Sequence, residues 1–371
     1  MRIAYVSLHW PRTIHSGVGK KIAAQVSGWQ AAGHETRLFL HTHTVDHPAD
    51  LLPGVVETYQ QHSGLIGKIR TEIDRSRALS RLIKQVKAWK PDCIYMRFNV
   101  YAFPLHRLFG TAPVILEVVT NDLKQHATLG KGYGIYNRLT RSIALKRSTG
   151  IVSISQELAA NPEFTRYGKP AAVIGDGVDL SLYPVLPAPQ NPQPHLVFIG
   201  SPGNAWHGVE KLVPLAQHSP EMIVDVIGYD QIPGVDNLPA NIHLYGYLSG
   251  ENYRSILAQA DSAISSLSLH TIGMEESSPL KTRECAALGI PLILPYRDTD
   301  LDEIDHPCIL RIPNSPDNVI THAKNIEQFV RYVQGKRLVG TAVRKAIDSQ
   351  EKEKRRLQFI QQILERKSLT R

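Results

Sequence analysis

The chain has 371 residues, 42% of them hydrophobic and 20% charged, a composition that suits a soluble globular protein of two domains and excludes a disordered or fibrous chain. A formal charge of +8 favours an anionic partner, either a nucleotide, a nucleic acid or an acidic membrane face. Three widely spaced cysteines, Cys93, Cys285 and Cys308, form neither a zinc pattern nor a disulfide framework, which points to a reducing compartment.

In chain order, "RIAYVSL" reads as a first strand rather than a signal peptide, and no run approaches the length of a membrane span. Residues 16–32 carry Ile22, Val26 and Trp29 at helical spacing, closed by Gly33, and "TRLFL" follows as a strand. Residues 68–90 form a helix stopped by Pro91. Its stripe of Ile69, Ile73, Leu79, Leu82, Ile83, Val86 and Trp89 is expected in the core. The same stretch holds eight Lys and Arg against two acids, so its other face is strongly basic. "CIYMRF", "PVILEVV" and "GIVSIS" are further strands. "GKGYG" (130–134) lacks the Ser or Thr of a P-loop and reads as a mobile loop. After the proline-rich run 183–195, a stiff linker by composition, strands and helices alternate again. The expected division is 1–184 and 185–349, with a charged helix over about 350–371 crossing back to the first domain.

The run "EESSPLKTRECAALGIPLI" (275–293) carries the most chemistry. Ser278 and Pro279 read as an N-cap and first helical residue, Gly289 ends the helix, and residues 290–294 are a strand. Glu276 then lies in the loop before the helix. Glu284 lies inside it, about 9 Å along the axis from Ser278. Free N–H groups and the dipole at a helix start seat an anion, and flanking carboxylates accept from hydroxyls. A buried helix start with a Lys281–Glu284 surface pair reads equally well from these residues alone.

Taken with "SGVGKKIAAQVSGWQAAGHETRLFL", "VSISQELAANPEFTRYG", "VIGDGVDLSLYP" and "FIGSPGNAWHGVEKLVPLA", the E-x7-E pair resembles the retaining GT-B glycosyltransferases of family four, over nearly the whole chain. The resemblance implies an α/β fold of two Rossmann-like parallel-sheet domains facing a central cleft. The first would bind acceptor and the second a nucleotide sugar. It implies that a hexose moves from a nucleoside-diphosphate sugar to a saccharide or lipid-linked acceptor, in cell-surface polysaccharide or glycolipid synthesis. Configuration would be retained, with no metal and no cofactor, in the cytoplasm or peripherally on the inner membrane face. Glu276 would hold the hexose and Glu284 the ribose. Gly17, Gly19, Ser278 and Leu280 would supply backbone to the diphosphate.

Two departures matter. The family's Arg and Lys in the second domain are here Ser201 and His207, and Lys281 is expected to replace their charge with help from His207. The histidine usual at the end of the fourth strand is absent, which leaves Asp122 or Asn121 near the acceptor, with Arg97 a further acceptor-side candidate. Asp298 and Asp300 read as a solvated turn rather than a metal pair, and His41 and His43 as a strand-end loop. A dinucleotide oxidoreductase is disfavoured because position 22 is Ile where G-x-G-x-x-G needs Gly. A non-catalytic nucleotide-sugar-binding subunit stands as the alternative. No nucleic-acid partner is expected.

Overall fold

Uninterrupted apolar strands such as "IAYVS" leave no polar face, and a parallel sheet covered on both sides is where such strands are satisfied. The computed structural model describes residues 1–9, 17–43, 54–127 and 130–369, and divides into two compact units, 1–175 with 349–371, and 176–348.

The first unit runs β1 (Arg2–Ser7), α1 (Gly17–Ala31), β2 (Glu35–Thr42), β3 (Gly54–Thr58), α2 (Gly64–Trp89), β4 (Cys93–Arg97), β5 (Val114–Val118), α3 (Asp122–Ala127), α4 (Lys131–Arg147), β6 (Gly150–Ser153), α5 (Gln156–Ala160), α6 (Pro162–Thr165) and β7 (Ala171–Val173). The second runs β8 (His195–Ile199), α7 (Leu212–His218), β9 (Ile223–Ile227), β10 (Ile242–Leu244), α8 (Gly250–Gln259), β11 (Ser262–Ile264), β12 (Glu276–Ser277), α9 (Leu280–Ala287), β13 (Leu292–Leu294), β14 (Arg297–Asp298), β15 (Ile309–Arg311), α10 (Asn318–Thr321), α11 (Ala323–Val333) and α12 (Thr341–Ile347). The chain ends in α13 (Ser349–Leu369), which belongs to the first unit.

The first sheet has seven strands in the order β3-β2-β1-β4-β5-β6-β7, and the second has six in the order β10-β9-β8-β11-β13-β15. All neighbours within both are parallel. Each is a doubly wound Rossmann-like sheet. Strand order reverses between β1 and β4 in the first and between β8 and β11 in the second, and the carboxyl edge at such a reversal is where this architecture leaves a crevice for ligand.

The proline-rich run is docked rather than free. Leu186 N–H donates to Leu288 O at 2.9 Å, and the Arg337 guanidinium donates to the carbonyls of Leu186 and Pro187. Proline offers carbonyls without N–H groups, so a cation gathers what a strand partner cannot. The division accordingly falls between Gly175 and Asp176, ahead of this run. Residues 131–134, expected in a loop, are the first turn of α4. The apolar stripe of α2 is core only from Ala78 onward. Ile69 and Ile73 are 62% and 44% exposed, as are their neighbours Leu65 and Ile66 at 81% and 70%.

A buried polar network ties α13 to the first sheet. Glu117 on β5 accepts from the Tyr95 hydroxyl at 2.8 Å and pairs with Lys21 of α1 at 3.2 Å and Arg356 of α13 at 3.5 Å. Arg356 also donates to the Tyr95 oxygen at 2.9 Å and pairs with Glu353, whose other oxygen accepts the Trp29 indole N–H at 2.8 Å. Burial raises the Glu117 carboxyl pKa, but Lys21, Arg356 and the Tyr95 hydroxyl overcome it and hold the group at about 2. A depressed carboxylate stabilises the fold above its unfolded value of about 4.3 and loses that contribution as pH falls toward the folded value. Wild type should therefore lose its advantage over Glu117→Gln in urea melts between about pH 4 and about pH 2. Arg356→Ala, which leaves buried Glu353 without its cation and Glu117 with Lys21 alone, should cost about 3 kcal/mol or more at pH 7.

Candidate functional site

The second unit's site begins with the helix that the E-x7-E run builds. Pro279, with φ −73° and ψ 135°, holds the cap position of α9, so the helix starts at Leu280, one residue later than the Ser-Pro pair suggests. Ser278 is not the cap. Its hydroxyl accepts Asp176 N–H at 2.7 Å and Arg283 Nη2 at 2.8 Å. Gly289 follows the helix at φ +80°, as expected of a glycine terminator.

Arg283 organises the surrounding loops. Fully buried, it pairs with Asp298 at 2.6 Å and Asp300 at 2.9 Å, and donates to Asp176 O at 3.1 Å. Asp298 and Asp300 are therefore a buried counter-charge, not the solvated turn that their sequence suggests. Glu276 sits in the two-residue strand β12, paired with Arg297 on β14, rather than in a loop.

Lys281, in the first turn of α9, donates to Ile199 O at 3.3 Å at the carboxyl end of β8. Burial, partly offset by Glu284, pulls its ammonium pKa down to about 8. It is no surface partner for Glu284. Each oxygen of that buried carboxylate accepts a phenol, Oε1 from Tyr183 at 2.8 Å and Oε2 from Tyr253 at 3.0 Å.

The loop after β8 carries Ser201 and His207. His207 is buried, and its Nδ1 accepts Ser201 N–H at 3.0 Å. Burial and the Lys281 charge lower the imidazole pKa to about 3, so His207 is neutral and orders the loop instead of adding charge to it. Gly208 follows at φ +65°, where a Cβ would collide with Ser268 Oγ. Leu267 N–H to His207 O (2.9 Å) and Ser268 N–H to Trp206 O (3.0 Å) pin this loop to the one after β11, across the strand-order reversal. Ser201, His207, Lys281 and Glu284 thus share one end of the sheet, with the α9 N–H groups beside them.

In the first unit, Gly17 and Gly19 lie in the first turn of α1 rather than in a loop, and residues 10–16 ahead of them lie outside the described residues. Asp122 is buried and grips Arg141 with both oxygens at 2.8 Å, while also accepting from Asn137. Asn121 accepts Lys124 N–H at 3.3 Å and so caps α3. Arg97 ends β4 at the strand-order reversal and has no hydrogen-bond or ion-pair partner among the described residues. His41 meets Arg75 O at 3.0 Å, and burial lowers its pKa to about 4. No three His, Cys, Asp or Glu side chains among the described residues gather to hold a metal ion.

Comparison with known proteins rests on structure. No family model and no curated protein matches the sequence. The chain superposes on sucrose-phosphate synthase from Thermosynechococcus elongatus with a TM-score of 0.67 at 14% identity, over 98% of each chain. It also superposes on the lipopolysaccharide outer core galactosyltransferase WaaB (0.66, 12%, 97% of this chain and 99% of that one). A third match is an α-glucosyltransferase in complex with UDP and DNA (0.63, 12%, 97% and 99%). The fold is GT-B. The element order, two parallel sheets and strand-order reversals are those of GT-B glycosyltransferases.

Tyr183, Tyr253, Asp176 and Arg283 carry no local motif, and their roles appear only once distant segments meet. Because His207 is buried and neutral, His207→Lys should not be a neutral exchange. Stranding Ser201 N–H and burying an ammonium should lower stability by about 2 kcal/mol or more in chemical denaturation.

Proposed function

We propose that this chain is a retaining glycosyltransferase that moves a hexose from a nucleoside-diphosphate sugar to a saccharide or lipid-linked acceptor. The observation that carries the proposal is the placement of Lys281 and the α9 N-terminus beside Glu284 at the carboxyl edge of the second sheet. One cation and a row of N–H donors suit a diphosphate, and leaving-group charge grows there during transfer. In this reading Glu284 receives the ribose hydroxyls, Glu276 the hexose, and Ser201, Ser278, Leu280, Gly17 and Gly19 shape the donor site. Ser201, its N–H held by His207 Nδ1, fixes the course of the loop after β8. Asp122, committed to Arg141, acts as a positioning group, and Arg97 is the acceptor-side cation. No metal or cofactor is assigned. The acceptor proton passes to a donor phosphate oxygen on the retained face.

Glu284→Ala should weaken nucleoside-diphosphate binding by about tenfold or more, the worth of a charged hydrogen bond. Glu276→Ala should lower turnover more than affinity for the bare nucleotide. Release of nucleoside diphosphate only when acceptor is present is the assay. Normal binding and turnover in both variants would overturn the site. Lys281 loses its proton above about pH 8, so wild-type affinity for the diphosphate should fall as pH rises through that value. Lys281→Arg, charged throughout, should flatten the profile, which calorimetry across the pH range reads directly.

The place of work follows from α2. Leu65, Ile66 and Ile69 are exposed, and a groove of about 680 Å³ is lined by Ile69, Ile73 and Phe103 together with Arg77, Arg81, Lys84 and one acid, Glu72. Apolar side chains next to cations suit an anionic bilayer surface, where each basic residue adds about 1 kcal/mol. No described helix is long and apolar enough to cross a membrane. The proposed role is thus peripheral, on a glycolipid or a lipid-linked polysaccharide precursor. Vesicles with anionic lipid should pellet the protein and neutral vesicles should not. High salt should reverse only part of the binding, and Ile66→Asp with Ile69→Asp should remove the rest. Failure to bind anionic vesicles at low salt would leave a soluble acceptor as the reading. A non-catalytic binding subunit is the second reading, favoured by the locked Asp122, and binding of donor without turnover would support it.

A further inference from the structure

The donor-site reading assigns Glu284 to a ribose but does not say what holds Glu284. A carboxylate on a helix can rotate about its terminal bonds, and an aimed acceptor must be fixed by its neighbours. Here the neighbours come from two separate segments. Tyr183 opens the docked proline run, held near α8 by Arg254, which donates to Leu182 O at 2.9 Å. Tyr253 lies on α8 itself. Their hydroxyls reach different oxygens of the carboxylate, at 2.8 and 3.0 Å, so the pair sets both its tilt and its rotation. Burial first, and then the Glu284 charge, raise both phenol pKa values, so both remain donors across the physiological range. Each carboxylate oxygen has two acceptor positions, so one phenol does not exhaust it.

We propose that Tyr183 and Tyr253 are positioning residues that orient Glu284 to receive the vicinal 2′ and 3′ hydroxyls of a nucleoside diphosphate. The proposal rests on the donor-site reading above. It predicts a coupling between two protein hydroxyls and two ligand hydroxyls that never touch, transmitted through one carboxylate.

The test is a cycle that changes protein and ligand together. UDP, GDP and ADP are titrated against the full chain, and the tightest is compared with its 2′,3′-dideoxy form. Tyr253→Phe should weaken the ribonucleotide by about fivefold and the dideoxynucleotide hardly at all, a coupling within the range measured for groups sharing one network. Tyr183→Phe should show the same selectivity, and the double variant should approach the ribonucleotide affinity of Glu284→Gln. Thermal melts without ligand identify folded variants, and Tyr183→Phe, at a half-exposed position, carries the test if Tyr253→Phe does not fold. Equal loss for both nucleotides would mean that the phenols merely support the fold, and would overturn the proposal while leaving the donor site standing. No loss for either would also overturn it. A wild-type protein that binds none of the three nucleotides would instead remove the donor-site reading, and this proposal with it.

Discussion

The second unit's site depends on one buried guanidinium. Arg283 joins Asp298, Asp300, the Ser278 hydroxyl and the Asp176 carbonyl, and so fixes three loops against the first turn of α9. Such a group is costly to desolvate and gains little net stability over an apolar substitute. What it contributes is position. With Ser278 and Asp298 held, β12 can pair with β14, which sets Glu276 opposite Arg297 just ahead of the helix that carries Lys281. The arrangement divides labour between one arginine that builds the site and one lysine that charges it.

That division explains why so little positive charge is needed. Lys281 is half-buried and close to neutral carbonyls, so its field is weakly screened and acts over a short distance. His207 reinforces this by staying uncharged. A second cation at that position would depress Lys281 further, whereas a neutral imidazole accepts the Ser201 N–H and keeps the loop after β8 closed against the loop after β11. On the donor-site proposal, an anion at this end of the sheet would meet backbone and a single ammonium.

The first unit spends its buried charge differently. Glu117, Lys21, Arg356 and Glu353 form one network that crosses from β5 through α1 to α13. The last helix is therefore a structural layer of the first sheet, lying where Trp29 and Tyr95 need partners for their N–H and O–H. Above this network, Arg97 ends β4 near enough to Glu117 to lower its pKa without pairing with it. Among the described residues, Leu65, Ile66, Ile69 and Ile73 of α2 are exposed, by contrast, an apolar run too contiguous for an ordinary helix face.

Local periodicity was sufficient to read the longer strands of both sheets, since buried parallel strands are apolar runs, but it passed over the short β3, β7 and β15 and took the first turn of α4 for a loop. The E-x7-E spacing likewise placed Glu276 and Glu284 on either side of a helix start, because helix geometry is set by neighbours in the chain. What residues 275–293 could not reveal was whether Lys281 and Glu284 form a surface ion pair or take other partners. Tyr183, Tyr253, Ile199, Asp176, Asp298 and Asp300 make that difference, and most of them lie far away in sequence. The same holds for His207, whose charge depends on burial, for Asp122, whose role depends on Arg141, and for α2, whose apolar stripe leaves the core halfway along. Periodicity reports that a residue is apolar or titratable. Only the packed tertiary structure decides which groups lose water and which charges meet.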